Sequence, residues 1–581
     1  MNFYYEKIGD LVSFNDNGNC FLVDDIVYAL ENVFSYKITK VDKSLAYQYE
    51  LSVYQIQSQL ASRAFQKGIA HSIANEIAKS DVENNNIEGP DDLVVTTIVL
   101  TSEENFVWQS MQEIIPSLEF LWAASSKKAK HEVYYFNVDH DNLKNKLPQF
   151  LKAQNIFVTC FNLQISKTIQ LLRLHLNIDA RLVIQIHNMA TIACWPFHEW
   201  KMGETFRESD VFISTCSYDK ETLKLTYPKG RVELIPFCAL ELEKVSEQKL
   251  FNCPTIFAYV GRISVQKNIH TILAALSLLG NKNFEFYLYG AEDNLGSPNM
   301  EDYPKDYLLF LKKLTGDLGL EGKVFFKGHY PREKLYEELH NSRVVLLTAS
   351  LHSDENFGMA LFRGLLLGQR VVCSDWGGHA DFQAHFPKQT KLVPVRQTKK
   401  GPQVSPFEFA KMIGEGLHDL AVLPRIPQHY DPLTLSLKIQ SLACEKIFSF
   451  NLLKRSSFAE KIHEKRAMFL ASPQSKGCKV FEDYFDELSK PLFESYGMKN
   501  SRSQGVTYKL PPWVVINKEE ITVDDYHRGV ETYSCGKGQK IQTWFGREVE
   551  ISSDEFQKMW DNGDILVDSN ELCRDGSDDD C

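Results

Sequence analysis

Two basic residues follow a short apolar run near the middle of the chain. Arg262 and Lys267 stand five positions apart after the run TIFAYV, with Gly261 before them and Asn268 directly after Lys267. A glycine at the exit of a strand lets the backbone come close to a ligand, and two cations beside free backbone N–H groups suit a diphosphate. The spacing therefore predicts a diphosphate site, although an exposed basic pair on a turn shows the same pattern.

A carboxylate opens the second candidate loop. Glu355 comes five residues after the apolar run RVVLLTAS and begins the sequence Glu355-Asn356-Phe357-Gly358-Met359, after which a helical stretch starts. We predict that Glu355 accepts hydrogen bonds from the hydroxyls of a sugar, while the amides after Phe357 face anionic or hydroxyl oxygens. The alternative is that Glu355 caps the helix that follows it. A third loop, Trp376-Gly377-Gly378, follows the run RVVCSD and taken alone is only a turn.

Twelve short apolar runs alternate, for the most part, with segments of helix length, and the candidate loops follow such runs. The runs lie at 93–100, 133–138, 156–161, 181–187, 211–215 and 232–237, and again at 255–261, 284–290, 323–328, 343–350, 370–375 and 391–395. Strands that alternate with helices indicate βαβ units and parallel sheets, which bind ligands at the carboxyl ends of their strands. We therefore predict the α/β fold class, with two doubly wound Rossmann-like halves at about 93 to 240 and 250 to 425.

Changes in composition divide the chain into five regions. A polar, turn-rich stretch at 82–92 ends the first of them, and a stretch containing Ser, Pro and Gly at 471–477 precedes the last. The predicted regions are a mainly helical N-terminal appendage (1–90), a Rossmann-like domain (91–245), a second Rossmann-like domain (246–425) that carries the candidate loops, helices that pack back on the N-terminal half (426–475), and a small β-rich appendage with an acidic, disordered end (476–581).

The overall composition is that of a soluble globular protein with several domains. The 581 residues are 44% hydrophobic, and 64 Lys and Arg against 76 Asp and Glu give a net charge of −12, which argues against a protein that mainly coats nucleic acid. The 12 cysteines form no CxxC pair, as expected for reduced thiols. No run of about 18 apolar residues and no secretion signal is present, so we expect a cytoplasmic location and no membrane span.

Several other kinds of chemistry have no motif in this sequence. Neither a G-x-S-x-G elbow nor a G-x-x-x-x-G-K-[ST] loop occurs, which disfavours hydrolase and P-loop functions. Asp139-His140-Asp141 has the D-x-D form of some metal sites, but it starts a helix-like segment, and we interpret it as a helix cap. We therefore predict no metal site and no tightly bound cofactor.

Together and in this order, the three loops resemble those of the retaining GT-B glycosyltransferases, in particular glycosyltransferase family 4 (glycosyl transferases group 1). The C-terminal halves of that family carry G-R-x-x-x-x-K-G/N, then E-x-F-G-x-x-x-x-E-A, then a G-G turn, and the resemblance covers about 180 to 400 well. It implies two domains that face a cleft, and transfer of a sugar from a UDP- or GDP-sugar with retained anomeric configuration and without a metal. The residues that it implies for catalysis are Arg262, Lys267, Glu355 and His187, and those for donor binding are Gly261, Asn268, Gly328, Asn356, Phe357, Gly358, Met359 and Arg363.

One candidate catalytic residue lies in the N-terminal half. His187-Asn188 follows RLVIQI and resembles the cleft histidine with which the family contacts the donor sugar. A histidine at the end of a strand is equally consistent with a structural role, in which its nitrogens are satisfied within the protein.

Two departures from the family pattern keep a second function open. The family's second glutamate, which commonly holds the ribose, is Arg363 here, and a guanidinium donates hydrogen bonds but cannot accept them. An acidic sequence at 101–106 replaces the glycine-rich loop expected after the first strand. The alternative is therefore a catalytically inactive GT-B protein that binds nucleotide sugars or serves as a scaffold, whereas nothing specific signals an epimerase or a phosphorylase. The acceptor (glycan, protein, lipid or nucleic acid) stays open, as does a homo-oligomer.

Overall fold

The computed structural model describes residues 3–8, 11–14, 19–22, 38–42, 94–102, 111–126, 131–160, 162–187, 197, 200–239, 255–280, 283–292, 306–330, 334–335, 338, 343–351, 355–417, 425–445, 449–470, 485–500, 507–525 and 529–568. The chain divides into two compact units. The N-terminal unit consists of Met1–Thr215, Leu223–Leu240 and Gln428–His463, and the C-terminal unit of Cys216–Thr222, Glu241–Pro427 and Glu464–Cys581.

The described residues before position 90 form strands. They are β1 (Phe3–Ile8), β2 (Leu11–Phe14), β3 (Asn19–Leu22) and β4 (Ile38–Asp42), in a sheet of order β3-β2-β1-β4. The prediction of a mainly helical appendage is therefore wrong for these residues, because short runs such as FYYEKI and LVSF have strand rather than helix character. The helical candidates at 43–80 lie outside the described residues, as does the acidic end at 575–580.

A six-stranded parallel sheet forms the centre of the N-terminal unit. Its strands are β5 (Val95–Thr101), β6 (His131–Asn137), β7 (Asn155–Val158), β8 (Arg181–Gln185), β9 (Val211–Ser214) and β10 (Arg231–Leu234), in the order β10-β9-β8-β7-β5-β6. The helices of this part are Met111–Ser126, Leu143–Lys152, Leu163–Gln170 and Ser217–Thr226, the last shared with the C-terminal unit. Every residue of β7, β8 and β9 is buried, as expected for a parallel sheet with both faces covered.

A local sequence signal sets the start of the helix Leu143–Lys152, which follows β6. Asn142 caps the helix Leu143–Lys152 by accepting a hydrogen bond from the amide of Lys144, and Leu147 and Phe150 continue its buried face. The Asp139–Asp141 segment is therefore not the cap that its position suggested. Its carboxylates accept hydrogen bonds from Ser102 and from the amide of Asn137, which stabilises the turn before the helix.

A second six-stranded parallel sheet forms the centre of the C-terminal unit. Its strands are β11 (Thr255–Val260), β12 (Glu285–Tyr289), β13 (Val324–Gly328), β14 (Arg343–Thr348), β15 (Arg370–Ser374) and β16 (Thr390–Val393), in the order β13-β12-β11-β14-β15-β16. Its helices are Ile269–Ser277, Tyr307–Asp317, Met359–Leu366, His379–His385 and Pro406–Leu417. All twelve predicted strands are present, which confirms the α/β fold class with two Rossmann-like domains of the GT-B type; that the two domains face a cleft stays a prediction.

Two further parts complete the described chain. The helices Pro432–Cys444 and Ser457–Leu470 follow the second sheet, and residues 428–463 belong to the N-terminal unit, where Arg181 donates to the carbonyl oxygen of Leu442. The C-terminal unit also contains a hairpin, β17 (Val395–Thr398) and β18 (Gly401–Val404). It further contains the helices Lys490–Ser495 and Ser553–Asn562 and the strands β19 (Thr507–Lys509), β20 (Val514–Ile516), β21 (Glu520–Asp525), β22 (Gly529–Gln542), β23 (Glu548–Ile551) and β24 (Leu566–Asp568). None of the helices described is long and apolar enough to cross a membrane.

Candidate active site

The loop after β11 is held in place by backbone hydrogen bonds to its neighbours. The amide of Gly261 donates to the carbonyl oxygen of Tyr289 at the end of β12, at 3.0 Å, and the amide of Gly290 donates to that of Gly328 at the end of β13, at 2.9 Å. Gly261 and Gly328 therefore lie at the carboxyl ends of strands, where the sequence predicted a donor site. These hydrogen bonds do not test whether the two glycines contact the donor, so that role stays a prediction.

The basic pair lies on a short, well-supported turn. The hydroxyl of Tyr259 donates to the carbonyl oxygen of Arg262 at 2.6 Å, and the amide of Leu351 donates to that of Gln266 at 3.1 Å. A single 3-10 turn, Val265–Lys267, then leads into the helix Ile269–Ser277. The backbone on both sides of Arg262 and Lys267 is thus fixed by bonds to the rest of the sheet edge.

Asn268 connects this turn to the neighbouring strand. It has a left-handed φ of 52°, a conformation that asparagine tolerates better than most residues. Its side-chain nitrogen donates to the carbonyl oxygen of Ala349 at 3.3 Å, and its side-chain oxygen accepts from the hydroxyl of Thr271 at 2.8 Å. The side chain thus has a structural role, and a contact with the donor stays a prediction.

Lys267 and Glu355 form a largely buried ion pair. Lys267 Nζ lies 2.5 Å from Glu355 Oε2, and the two side chains are 14% and 13% exposed. The residues are 88 positions apart in the chain, and they meet because β11 and β14 are neighbours in the sheet. The structure therefore brings together the two loops that the sequence analysis singled out separately.

His379 is the third member of this cluster. Its Nε2 lies 3.5 Å from Glu355 Oε1, and its side chain is only 2% exposed. Burial raises the pKa of Glu355, but attraction to Lys267 and the contacts with His379 outweigh it and hold that pKa well below its ordinary value of 4.5. Glu355 is therefore ionised at neutral pH. Sequence reasoning missed His379; its only signal was the position directly after Gly377-Gly378.

The helix after Glu355 begins directly after a glycine. Its N-terminal flanking residue is Gly358, with a left-handed φ of 83°, and a glycine has no side chain with which to cap the first turn of Met359–Leu366. A Cβ atom on Gly358 would lie 2.7 Å from Cδ2 of His379, so the ring needs the space that glycine leaves. Within the described part of the chain, the carboxylate of Glu355 contacts Lys267 and His379, which does not support its alternative role as a helix cap.

The other predicted donor-binding residues on this loop have different environments. Phe357 is buried, with ring centroids 5.0 Å from Phe362 and 5.6 Å from Phe382, so its side chain anchors the loop in the core. Asn356 and Met359 are partly exposed. Their predicted contacts with the donor stay predictions.

Arg363 lies in the helix Met359–Leu366, five positions after Gly358, and its side chain is partly exposed. Asp354, a candidate partner of Arg363, lies outside the described residues. The structure thus places Arg363 in the helix that the Glu355 loop precedes, and its role toward the ribose stays a prediction.

His187 belongs to the N-terminal unit, just beyond the end of β8. Its Nε2 lies 2.6 Å from the carbonyl oxygen of Thr159, and its ring stacks on Phe237 with centroids 6.0 Å apart. Burial lowers its pKa to about 4, so the ring is neutral at pH 7. Because a carbonyl oxygen only accepts hydrogen bonds, Nε2 carries the proton, and Nδ1 is the nitrogen that can accept one. Asn188 and residues 103–106 lie outside the described residues.

Metal ligands do not gather in the described part of the chain. Within it, no group of three or more His, Cys, Asp and Glu side chains is arranged to hold a metal ion. Metal-independent chemistry stays a prediction.

The C-terminal Rossmann-like domain is similar to a known protein family. Residues 243–395 match the family Glycosyl transferases group 1, and the match contains both loops of the Lys267–Glu355 pair. The resemblance that the motifs indicated is thereby confirmed for this part of the chain. No curated protein matches the chain by sequence.

Solved structures similar to the chain include three whose descriptions name a sugar or a nucleotide sugar. Sucrose-phosphate synthase from Thermosynechococcus elongatus is 17% identical, with 65% of this chain and 100% of that chain covered and a TM-score of 0.38. Anabaena HepE in complex with UDP and glucose is 15% identical, with 65% and 99% covered and a TM-score of 0.38. An E. coli trehalose-6-phosphate protein bound with UDP-2-fluoro glucose is 13% identical, with 60% and 99% covered and a TM-score of 0.39. Scores this low carry no argument, and the assignment depends on the family match and on the topology of the sheets.

Proposed function

We propose that this protein is a retaining glycosyltransferase that transfers a sugar from a UDP- or GDP-sugar without a metal ion. The observation that carries the proposal is the buried Lys267–Glu355 pair at the carboxyl ends of adjacent parallel strands, inside the segment that matches the family. A diphosphate needs a cation, and sugar hydroxyls need an acceptor. The pair supplies both within one cluster.

The leaving group sets the main demand on such a site. When the bond from the sugar to the diphosphate breaks, negative charge develops on the phosphate oxygens, and fixed positive charge lowers the barrier. Lys267 carries three N–H donors, so it can keep Glu355 as one partner and bind a phosphate oxygen with another. Arg262, on the same supported turn, is the second cation proposed for the diphosphate.

Glu355 and His187 are proposed to hold the donor sugar. The low pKa of Glu355 keeps it an acceptor for sugar hydroxyls across the neutral range. His187, with its proton on Nε2, offers Nδ1 as an acceptor and carries no charge at pH 7. Its proposed part is therefore to orient a hydroxyl group and not to stabilise the leaving diphosphate by charge.

Donor turnover tests this function directly. We would measure the release of UDP from UDP-glucose and of GDP from GDP-mannose, with and without EDTA, in the wild type and in Lys267→Met. The proposal expects release from one donor that EDTA leaves unchanged and that Lys267→Met lowers by about a hundredfold or more. The surface variant Lys388→Ala is the matched control and should behave as wild type. Absence of release, together with absence of thermal stabilisation by either donor, would refute the proposal.

The second candidate is a nucleotide-sugar-binding protein without transfer activity, and Arg363 favours it. A guanidinium at the position of the family's second glutamate removes an acceptor that the ribose commonly uses. Donor binding with a normal dependence on Lys267 but without any turnover in the presence of water or candidate acceptors would select this function instead.

The acceptor and the location of the reaction belong to the proposal only in broad terms. We propose a cytoplasmic enzyme that takes its donor from solution and works without a tightly bound cofactor. The acceptor is a hydroxyl-bearing molecule, and product analysis by mass spectrometry after incubation with the donor would identify it.

A further inference from the structure

A segment outside the family match contacts the Gly377-Gly378 turn. The helix Lys490–Ser495 ends at Tyr496, which is fully buried and packs edge-on against Trp376 with ring centroids 5.2 Å apart. The carbonyl oxygen of Tyr496 accepts a hydrogen bond from the amide of Gly377 at 3.0 Å. The family match ends at residue 395, so this contact comes from a later part of the chain.

The same segment also binds Asp375, two positions before Gly377, and Val395. Lys499 Nζ forms an ion pair with Asp375, and its amide donates to the carbonyl oxygen of Val395 at 2.9 Å. Gly497 has a left-handed φ of 124°, and a Cβ atom there would lie 2.4 Å from the carbonyl oxygen of Asp375. Side chain, backbone and close packing thus hold residues 496–499 against Asp375 and Gly377.

The Gly377-Gly378 turn in its own right holds the backbone of Glu355. The amide of Gly378 donates to the carbonyl oxygen of Glu355 at 2.8 Å, and a Cβ atom on Gly377 would lie only 2.1 Å from that oxygen. A Cβ atom on Gly377 would also lie 2.7 Å from Cε1 of Tyr496. The two glycines are therefore packed between the Glu355 backbone on one side and Tyr496 on the other.

We propose that residues 496–499 position Glu355 for the donor sugar, through the Gly377-Gly378 turn. The inference depends on the proposed function, since it assigns a task at the same site. Glu355 is held on its side-chain end by Lys267 and His379, and the turn supplies the matching support for its backbone. A displacement of about 1 Å in such a group is enough to cost a large factor in rate, so a support of this kind matters for transfer.

This positioning role predicts different effects on the binding of the sugar and on the binding of the nucleoside diphosphate. Lys267 and Arg262 lie on the turn after β11, whereas the contacts of 496–499 given above go to the loop after β15 and to Val395 at the start of β17. Displacing residues 496–499 should therefore weaken recognition of the sugar while leaving the nucleoside diphosphate bound.

Calorimetry with matched ligand pairs tests the inference. We would measure Kd for UDP and UDP-glucose, and for GDP and GDP-mannose, in the wild type, Lys499→Met, Lys499→Arg and Gly497→Ala. Lys499 has a half-exposed side chain, so Lys499→Met should fold, with a melting temperature within about 2 °C of wild type. For the pair that the wild type binds, Lys499→Met should lower the affinity for the sugar nucleotide relative to the diphosphate by about tenfold, and Lys499→Arg should restore it.

A second ion pair of the same kind supplies the control. Lys399 Nζ lies 2.8 Å from Asp561, also in the C-terminal unit, and Lys399 is more exposed than Lys499. Lys399→Met should leave the affinity ratio unchanged. An unchanged ratio in both Lys499→Met and Gly497→Ala overturns the inference, as does an equal loss in Lys399→Met. A wild type that binds neither nucleotide pair instead overturns the proposed function.

Discussion

Glu355 Oε2 lies 2.5 Å from Lys267 Nζ, in a place where both side chains are largely removed from water. Taking two charges out of water is costly, so a buried ion pair adds little net stability compared with an apolar pair of the same size. Removing one partner is a different matter, since it leaves a buried charge without compensation. The pair is thus more easily explained by a task at the site than by a contribution to folding.

The first prediction concerns this asymmetry. Lys267→Met should lower the free energy of unfolding by about 3 kcal/mol, because Glu355 stays buried and loses its main counter-charge. Lys267→Met combined with Glu355→Leu should recover most of that loss. Denaturant unfolding of the wild type, both single variants and the double variant measures the coupling. Additive effects would mean that the two side chains do not interact in solution.

The second prediction concerns the diphosphate. Arg262→Ala should reduce transfer by about a hundredfold to a thousandfold, since it removes fixed positive charge from the leaving group. Lys388→Ala, a change of an exposed lysine in the same unit, should stay within twofold of wild type. A rate for Arg262→Ala within about twofold of wild type would remove Arg262 from the site.

The positions of the strands explain why the loops that carry Lys267 and Glu355 could be predicted from the sequence. Both loops follow apolar runs of strand length, and such runs are the most reliable local signal of a buried parallel strand. The doubly wound topology then makes β11 and β14 neighbours, which is what brings Lys267 to Glu355. The two candidate loops were therefore predictable from the sequence, whereas the pairing of Lys267 with Glu355 depends on the strand order, which the sequence analysis did not give.

Other features were out of reach because they depend on contacts between distant parts of the chain. Nothing in the sequence around His379 shows that its ring fills the space beside Gly358. The hydrogen bonds that commit Asn268 to Ala349 and Thr271 are likewise tertiary. The cap at Asn142 differs from the predicted cap by one position, an error within the usual uncertainty of helix ends.

The third prediction uses the low pKa of Glu355. A carboxyl whose pKa is lower in the folded chain than its unfolded value of 4.5 binds fewer protons when folded, so its contribution to stability is fully present above pH 4.5. That contribution is lost as the pH falls through the folded pKa. The free energy of unfolding of wild type minus that of Glu355→Gln should therefore shrink as the pH is lowered from 7 to 3.

Activity provides the second half of this test. Glu355→Gln keeps one acceptor oxygen but loses the charge, and it should reduce transfer strongly at pH 7, whereas a helix cap would lose only about 1 kcal/mol of stability and keep near-normal activity. A stability difference that does not vary with pH, together with normal transfer, would show that the charge of Glu355 is not used.

The fourth prediction concerns Gly358 and His379. Gly358→Ala should destabilise the protein by about 2 kcal/mol or more, since alanine is strained at a φ of 83° and its Cβ would meet the His379 ring. In the background of His379→Ala, the same change should cost less, because only the backbone strain is left. A double-mutant cycle by denaturant unfolding gives the coupling between the two positions. Equal costs in both backgrounds would mean that the ring does not limit residue 358.

The last prediction concerns Arg363, where the sequence departs from the family pattern. A glutamate there would accept hydrogen bonds from ribose hydroxyls, while a guanidinium can donate to them or pair with a phosphate. Arg363→Glu should not bind the donor more tightly than wild type, because we expect the groups around residue 363 to suit a positive charge. The effect of a substitution in contact with such groups depends on them and is not independent. Calorimetry with UDP-glucose and GDP-mannose on wild type, Arg363→Ala and Arg363→Glu measures this. Tighter binding by Arg363→Glu would show that the site still favours a carboxylate, and equal affinity in all three proteins would place Arg363 outside the donor site.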